Sequence, residues 1–171
     1  MKVVIQRVSH ASVTIEGNIV ASIKKGLLVL LGIVNDDTQE DINWLCNKIS
    51  NLRIFEDENN VMNKSLLDIN GNVIVVSQFT LHANTKKGNR PSYIKAAKPD
   101  VAVPLYETFV KQLELQINKS VQTGEFGADM KVQLINDGPV TIIIDTKKQR
   151  VMAVYMEIVN SFLIKYNILR S

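Results

Sequence analysis

The sequence predicts an α/β or α+β domain in which helices pack on a curved, barrel-like and largely antiparallel sheet. Strand-like segments recur from the first residues to about residue 144, and short turns join several of them, which favours antiparallel neighbours. Two longer segments instead carry apolar residues at helical spacing. With 171 residues, 46% of them hydrophobic, the chain can bury a sizeable core as one compact domain.

The N-terminal segments predict a meander of strands. Residues 2–8 and 12–16 are typical of strands, Gly17-Asn18 is typical of a turn, and residues 19–23 form the returning arm. Residues 26–34 (GLLVLLGIV) are apolar on both faces. Such a segment belongs in the centre of a sheet that is covered on both sides.

Two helices are predicted between the later strands. Asp36-Asp37-Thr38 provides capping residues for the first helix. Its buried stripe consists of apolar residues at helical spacing, Ile42, Leu45, Cys46, Ile49 and Leu52. The second helix is predicted from about Asp100 to Lys119, with Pro104 in its first turn and an inward face formed by Tyr106, Phe109, Leu113 and Ile117.

An unusual interruption follows the turn at residues 70–72. The apolar run 73–76 predicts a buried strand, but Ser77-Gln78 interrupts it before residues 79–81 resume it. A buried polar side chain without a partner costs on the order of 1–3 kcal/mol. These two side chains are therefore either paired internally or directed at a cavity. Further strands are predicted at 131–135 and 140–144, on either side of NDGPVT, where Gly-Pro alone indicates a tight turn.

Charge is concentrated in one region of the chain. The net charge of +3 is too small to establish an anionic partner. Residues 83–99, here named the basic loop, contain no acidic residue and several cations, Lys86, Lys87, Arg90, Lys95 and Lys98. This pattern is compatible with nucleic-acid binding and also with an ordinary solvated surface. The single cysteine, Cys46, and the lack of a signal-peptide pattern predict a cytoplasmic protein in a reducing compartment.

The common catalytic and cofactor motifs are poorly supported. His10 and His82 are the only histidines, and no carboxylates stand beside them at ligand spacing, so neither a metal nor another cofactor is expected. Ser77 and His82 could be combined with an aspartate, but the sequence around Ser77 lacks the glycine-flanked turn of a nucleophile elbow. Phosphate-cradling motifs are absent, and GEFG at 124–127 is too sparse to count as one.

Several segments taken together resemble one known family. They are SQFTL at 77–81, KKGNRPS at 86–92, TGEFGADM at 123–130 and NDGPVT at 136–141, together with the opening KVVIQRV. In this order, over residues 1–146, the chain resembles the D-aminoacyl-tRNA deacylases. The resemblance implies an editing hydrolase that cleaves D-aminoacyl-tRNA to free D-amino acid and tRNA and rejects L-aminoacyl-tRNA. It also implies that the protein forms a homodimer and binds the acceptor end of tRNA. Neither DNA nor a membrane is an expected partner.

The resemblance also implies roles for individual residues. Ser77, Gln78, Phe79 and Thr80 would form the catalytic floor that receives the aminoacylated 3′ adenosine. Thr80 has no evident base beside it, so positioning and a water activated by the ribose 2′-hydroxyl would suffice for an already activated ester.

Other residues would hold the substrate on further sides. Phe126 and Met130 would contact the adenine, although from the residues alone both read as core. The phosphate contacts would be made by three cations of the basic loop, Lys86, Lys87 and Arg90.

Chiral selection would depend on Gly138 and Pro139. The resemblance implies a cis peptide bond between them and insertion of this dipeptide into the partner subunit's pocket. Arg7 would hold the segment, although an exposed strand arginine is an equally good reading of that residue. A backbone filter of this kind would pass achiral glycine, which predicts action on glycyl-tRNA(Ala) as well.

The sequence continues beyond the family pattern. Residues 147–171 are predicted to form a helical extension that docks on the body or on the dimer, with a membrane-surface anchor or a disordered tail as alternatives. Residues 151–164 are apolar but shorter than the ~20 residues that span a bilayer. The predicted organisation is thus a deacylase domain, 1–146, and the extension, 147–171. A non-enzymatic alternative remains, a module that binds the end of tRNA without hydrolysing it.

Overall fold

The computed structural model describes residues 1–148 of the chain. Within this range lie eight β-strands, two complete α-helices and one 3-10 helix, and residues 146–148 are also helical. The strands are β1 Lys2–Ile15, β2 Asn18–Ile23, β3 Gly26–Gly32, β4 Phe55–Glu56, β5 Met62–Lys64, β6 Asn72–Ser77, β7 Gln122–Thr123 and β8 Met130–Asp145. The helices are α1 Gln39–Asn51, the 3-10 helix Phe79–His82 and α2 Pro99–Ile117. Most of the predicted helical extension lies outside the described residues.

The main sheet is mixed and nearly closes into a barrel. Its strand order is β2-β1-β3-β6-β7, with β8 paired to β1. The pairs that involve β1 are antiparallel, whereas β3 with β6 and β6 with β7 are parallel. Strands β2 and β7, at opposite ends of the order, also contact each other. The predicted α+β class with a curved, largely antiparallel sheet is confirmed, and β3 lies inside the sheet as expected.

Two predicted interruptions are replaced by continuous strands. The segments predicted as 2–8 and 12–16 form one strand, β1, and those predicted as 131–135 and 140–144 form one strand, β8. The pairing between β1 and β8 changes register at Gln6/Val8 and at Val8/His10. Because such bulges bend a strand without ending it, polar and Gly-Pro residues that suggested chain breaks are accommodated inside long, curved strands.

Apolar side chains fill both faces of the sheet. The larger cluster packs one face against α1 and α2 and includes the predicted residues Ile42, Cys46, Phe109 and Leu113. A smaller cluster fills the other face, around Val8, Val13, Leu28, Ile74 and Val76. Burial raises the pKa of the Cys46 thiol to about 12, so this side chain behaves as a small apolar residue.

The helices begin close to the predicted positions. Thr38 caps α1 in a reciprocal arrangement, in which the Thr38 amide donates to the Asp41 carboxylate at 2.9 Å. The prediction that Pro104 lies in the first turn of α2 is wrong, because Pro99 occupies the helix start and Pro104 lies inside the helix. Pro99 suits that start because the first helical amides lack intrahelical acceptors in any case.

The prediction that residues 79–81 resume the strand is also wrong. Strand β6 ends at Ser77, the Gln78 amide still donates to the Leu31 carbonyl at 2.7 Å, and Phe79–His82 then forms the 3-10 helix. This corner packs tightly against the end of β3 at Gly32. A Cβ atom at Gly32 would lie 3.0 Å from the Gln78 carbonyl oxygen, so glycine allows the close approach. No helix within residues 1–148 is long and apolar enough to cross a membrane.

Candidate active site

A cavity of about 280 Å³ opens where β3 and β6 end. These strands are parallel neighbours, so their carboxyl ends meet at one edge of the sheet, the usual position of ligand sites in sheets of this kind. Ala97 and Ala102 form a wall at the start of α2, and the segment between β7 and β8 forms the wall opposite the strand ends. The sequence interpretation missed the two alanines, whose small side chains leave space but carry no chemical signal.

The floor of the cavity contains most of the predicted catalytic residues. Ser77, Gln78 and Phe79 line it, whereas Thr80 is not among the lining residues. The Gln78 side-chain amide donates to the Thr80 hydroxyl at 2.6 Å. Of the two explanations offered for the interrupted strand, both apply: Ser77 and Gln78 face a cavity, and the Gln78 side chain is also paired internally.

The corner also presents two backbone donors. Phe79 and Thr80 are the first residues of the 3-10 helix, and initial N–H groups have no acceptor within their own helix. In the described part of the chain, neither amide makes a backbone hydrogen bond outside that helix. Phe79 lines the cavity and Thr80 follows it directly in the chain, so these N–H groups are suited to stabilise an oxyanion that develops beside this corner.

Phe126 and Met130 lie on the wall opposite the strand ends. Both side chains are half-buried and line the cavity. From sequence each could be a core residue or a ligand contact, and this position is compatible with both. Phe126 packs edge-on against Tyr106, with ring centroids 6.0 Å apart. The Tyr106 hydroxyl donates to the Val75 carbonyl at 2.8 Å, and burial raises the pKa of Tyr106 to about 12. This brace fixes Phe126 from behind and leaves its exposed part facing the cavity.

The cavity holds little ionisable chemistry. Among the described lining residues, Asp129 is the only one with an acidic or basic side chain. Its carboxylate is exposed and accepts from the Lys131 ammonium at 2.9 Å. No other described lining residue is ionisable, so the floor supplies hydrogen-bond donors and shape rather than a set of groups for proton transfer. His82, at the far end of the 3-10 helix, lines a separate cleft, and burial lowers its pKa.

Gly138 and Pro139 lie outside the cavity of their own chain. Both are exposed, their peptide bond is cis, and neither lines the cavity. Four residues of β8, 137–140, stand opposite the single residue Arg7, because Val8 pairs with Asn136 and Gln6 with Thr141. The segment therefore protrudes from the sheet edge. We name residues 136–141 the protruding segment.

Arg7 fastens this segment and is not an exposed strand arginine. The side chain is buried, its Nε donates to the Asp137 carbonyl at 2.8 Å, and its Nη1 donates to the Ile54 carbonyl at 2.7 Å. Asn136 holds the other side, since its Oδ1 accepts from the Val140 amide at 2.8 Å. The sequence interpretation missed Asn136, although an asparagine just before a Gly-Pro turn is a known side-chain acceptor for nearby backbone amides.

The remaining predicted residues lie in the basic loop. Lys86, Lys87 and Arg90 are all exposed, and none makes an ion pair within residues 1–148. Backbone hydrogen bonds between Asn84 and Ser92, 2.8 and 3.0 Å long, close the segment between them. The three cations thus stand on a tethered loop directly after the cavity floor. In the part of the chain that the structure describes, no cluster of three or more His, Cys, Asp or Glu residues could hold a metal.

These features define an α+β barrel protein with a small-ligand cavity of mixed polarity. A cation-rich loop follows the cavity floor, and an exposed segment, held at its base by Arg7, does not line the cavity. The family model described as D-Tyr-tRNA(Tyr) deacylase matches residues 4–145. The chain belongs to this family.

Curated relatives agree with this assignment over nearly their full length. A D-aminoacyl-tRNA deacylase of Flavobacterium psychrophilum is 72% identical over 149 residues, which cover 87% of this chain and 99% of the relative. One of Bacteroides fragilis is 67% identical with the same coverage.

Two solved structures share the fold. A c-Myc DNA unwinding element binding protein is 42% identical and superposes with a TM-score of 0.81, over 85% of this chain and 98% of that one. A probable eukaryotic D-amino acid tRNA deacylase superposes with a TM-score of 0.73 over 84% of this chain and 98% of that one. At 17% identity, the second likeness shows the fold alone.

Proposed function

We propose that the protein hydrolyses the ester bond of D-aminoacyl-tRNA, releasing the D-amino acid and free tRNA. The observation that carries the proposal is the cavity itself. This chain is 72% identical to a D-aminoacyl-tRNA deacylase. Its cavity combines a polar strand end, free backbone donors and an aromatic wall. The aminoacyl ester faces the corner at residues 77–80, and the terminal adenine packs against Phe126 and Met130.

Hydrolysis in this cavity depends on positioning and on the substrate. Water adds to the ester carbonyl, the amides of Phe79 and Thr80 stabilise the negative oxygen, and the C–O bond to the ribose breaks to leave a free tRNA hydroxyl. The described lining offers no unpaired carboxylate or histidine as a base. The neighbouring ribose 2′-hydroxyl orients the attacking water in this proposal, and Thr80 supports the corner through Gln78.

Chirality is selected, in this proposal, by the protruding segment of a second copy of the chain. The support is geometric: Gly138 and Pro139 are exposed, lie outside their own cavity and are held from behind by Arg7. Rigid backbone placed near the substrate's α-carbon excludes an L side chain, which is a repulsive element of the kind that specificity requires. Glycine has no side chain to exclude, so glycyl-tRNA(Ala) is also a substrate.

A homodimer is the assembly that this arrangement needs. Strand β8 pairs only with β1 among the described strands, so its other edge is unpaired there. Ile135 and Ile143 on β8 are 61% and 68% exposed, which is unusual for large apolar side chains on a long edge strand. Lys86, Lys87 and Arg90 contact tRNA phosphates from the basic loop. The division into a domain, 1–146, and an extension, 147–171, stays a prediction. The cytoplasmic location stays a prediction.

The deciding experiment compares four substrates under single-turnover conditions. They are D-tyrosyl-tRNA, L-tyrosyl-tRNA, glycyl-tRNA(Ala), and D-tyrosyl-tRNA ending in 2′-deoxyadenosine with the ester on the 3′ oxygen. We expect rapid release from the first and third and slow release from the second and fourth. Protection of D-tyrosyl-tRNA without hydrolysis would instead identify the binding module. Rapid hydrolysis of the 2′-deoxy substrate would refute the role of the 2′-hydroxyl but not the deacylase function.

A further inference from the structure

An exposed aromatic pair stands beside the cavity. Phe79 and Tyr93 pack edge to face with ring centroids 5.1 Å apart and an interplanar angle of 78°. The two side chains are 56% and 39% exposed, and Ile94 beside them is 88% exposed. Phe79 belongs to the cavity lining. Exposed apolar side chains grouped at the mouth of a cavity are typical of an interaction site.

The backbone around Tyr93 is tied down on both sides. The hydrogen-bonded pair Asn84 and Ser92 ends directly before Tyr93. After it, the Ala96 amide donates to the Tyr93 carbonyl at 3.0 Å, and the Ala97 amide donates to the Ile33 carbonyl at 2.9 Å. Because Ile33 follows the end of β3, Tyr93 is anchored to the same sheet edge as the cavity. Such an aromatic can hold a ligand in a fixed position.

The surrounding charge indicates what the aromatic pair binds. Tyr93 lies within the basic loop, which has five lysines and arginines and no acidic residue. Aromatic faces beside a row of cations are the combination that binds single-stranded nucleic acid, since bases stack on the rings while the cations contact phosphates. A surface that binds a second protein copy would instead be expected to face apolar or acidic side chains of that copy. The sequence interpretation noted the cations but not the tyrosine among them.

We infer that Phe79 and Tyr93 form a stacking platform for the unpaired nucleotide that precedes the terminal adenosine of the tRNA. This inference rests on the proposed function, in which the terminal aminoacyl-adenosine occupies the cavity. Phe79 then contacts the substrate on two sides, with its backbone at the ester and its ring at the cavity mouth. Because the two rings are nearly perpendicular, the base stacks on the Tyr93 ring, and the edge-to-face contact with Phe79 holds that ring in place so that the ester reaches the corner at residues 77–80.

The test uses a short single-stranded RNA ending in CCA, with no amino acid attached and 2-aminopurine in place of the penultimate base. Stacking on an aromatic ring quenches this fluorophore. We expect quenching by the wild-type protein and about tenfold weaker binding by Tyr93→Ala, because loss of one base stacked on an aromatic ring weakens binding by about this factor. Tyr93→Phe keeps the ring and should bind almost as well as wild type. Trp44→Ala is the matched control, since Trp44 is 37% exposed on α1 and does not line the cavity.

A second probe separates base stacking from phosphate contacts. An otherwise identical RNA that lacks the penultimate base and carries a dye on its 5′ end is followed by fluorescence anisotropy. Wild type should bind this RNA as weakly as Tyr93→Ala binds the complete RNA. Equal binding of the complete RNA by wild type and Tyr93→Ala would overturn the inference. So would a Tyr93→Ala variant that loses dimerisation in sedimentation experiments while its RNA binding is unchanged, since the surface would then be an interface between copies. The RNA carries no ester, so failure of hydrolysis with intact Tyr93-dependent binding would refute the proposed function instead.

Discussion

The cavity floor at residues 77–80 and the protruding segment at residues 136–141 differ in how each is supported and in what each can contact. The floor lies at the end of a buried strand, and its groups face a cavity of the same chain. The protruding segment leaves an edge strand, and its tip is exposed. Yet its base is held by Arg7, which is only 4% exposed. A rigidly supported tip without a cavity of its own is suited to contact another molecule.

The largest expected effect is on stability, at the base of the protruding segment. Replacing Arg7 by Leu leaves the Ile54 carbonyl, in a buried residue, without its charged donor, and it removes the bond to Asp137. We expect the free energy of unfolding, measured by urea denaturation, to fall by about 3 kcal/mol. The control is Arg53→Leu, because Arg53 also donates to a carbonyl, that of Asn63, but from an exposed site. Equal losses in both variants would show that the segment needs no buried support.

The next effect is on selectivity, at the tip of the protruding segment. Gly138 has a φ of +131°, and a Cβ there would lie 2.8 Å from Arg7 Nη2 and 2.8 Å from Val140 Cγ2. Gly138→Ala must therefore shift the tip, and we expect the ratio of D- to L-tyrosyl-tRNA hydrolysis rates to fall about tenfold, a loss of roughly 1.4 kcal/mol. Gly17→Ala is the control, with a φ of +82° and open space around it. An unchanged ratio in a dimeric Gly138→Ala would place the chiral filter elsewhere.

A several-fold effect on substrate binding is expected just beyond the cavity floor. Neutralising Lys86, Lys87 and Arg90 together should raise KM for D-tyrosyl-tRNA and reduce its dependence on salt, because each phosphate contact contributes about 0.7–0.9 to the logarithmic salt slope. The ratio of D to L rates should not change, since the protruding segment is untouched. Lys111→Ala, an exposed lysine on α2, should leave both quantities as in wild type. A wild-type salt slope in the triple variant would contradict phosphate binding by this loop.

A smaller effect is expected on catalysis in the cavity floor itself. Thr80→Val removes the hydroxyl that accepts from Gln78, which is one neutral hydrogen bond. We expect the single-turnover rate to fall about fivefold, with D/L selectivity preserved. The comparison variant is Thr108→Val, which removes a hydroxyl bonded within α2 far along the sequence. Complete inactivity of a folded Thr80→Val would make the hydroxyl a nucleophile and overturn its supporting role.

The smallest expected effect is on the pH dependence of stability, through His82 at the end of the 3-10 helix. Burial lowers the pKa of His82 below its ordinary 6.5, so the unfolded chain binds a proton more readily than the folded one. The stabilisation is complete above about pH 6.5 and is lost as the pH falls toward the lowered pKa. Urea denaturation between pH 7.5 and 5 should show a decline that is reduced in His82→Gln and retained in His10→Gln. An identical pH profile in all variants would contradict this.

Local sequence patterns determined much of the fold. Apolar periodicity located α1 and α2 to within a few residues, because one helical face must be buried regardless of its partner. The continuous apolar run at 26–34 likewise indicated an interior strand. The polar interruption at Ser77-Gln78 indicated either internal pairing or a cavity, since two polar groups at a strand end require partners. The prediction that residues 79–81 continue the strand failed because three residues are too few to distinguish a strand from a 3-10 turn.

Tertiary structure decided which of these residues meet. The parallel pairing of β3 with β6 places Gln78 beside Leu31. The segment before β8 and the first residue of β8 bring Phe126 and Met130 to the opposite wall, although they lie about fifty residues later in the chain. Arg7 was ambiguous in sequence because its acceptors, the carbonyls of Ile54 and Asp137, carry no side-chain signal. Side-chain patterns reveal which groups need burial or hydrogen-bond partners. The partners themselves are decided by long-range backbone pairing, and because every residue has a backbone carbonyl, the sequence does not mark which one will be used.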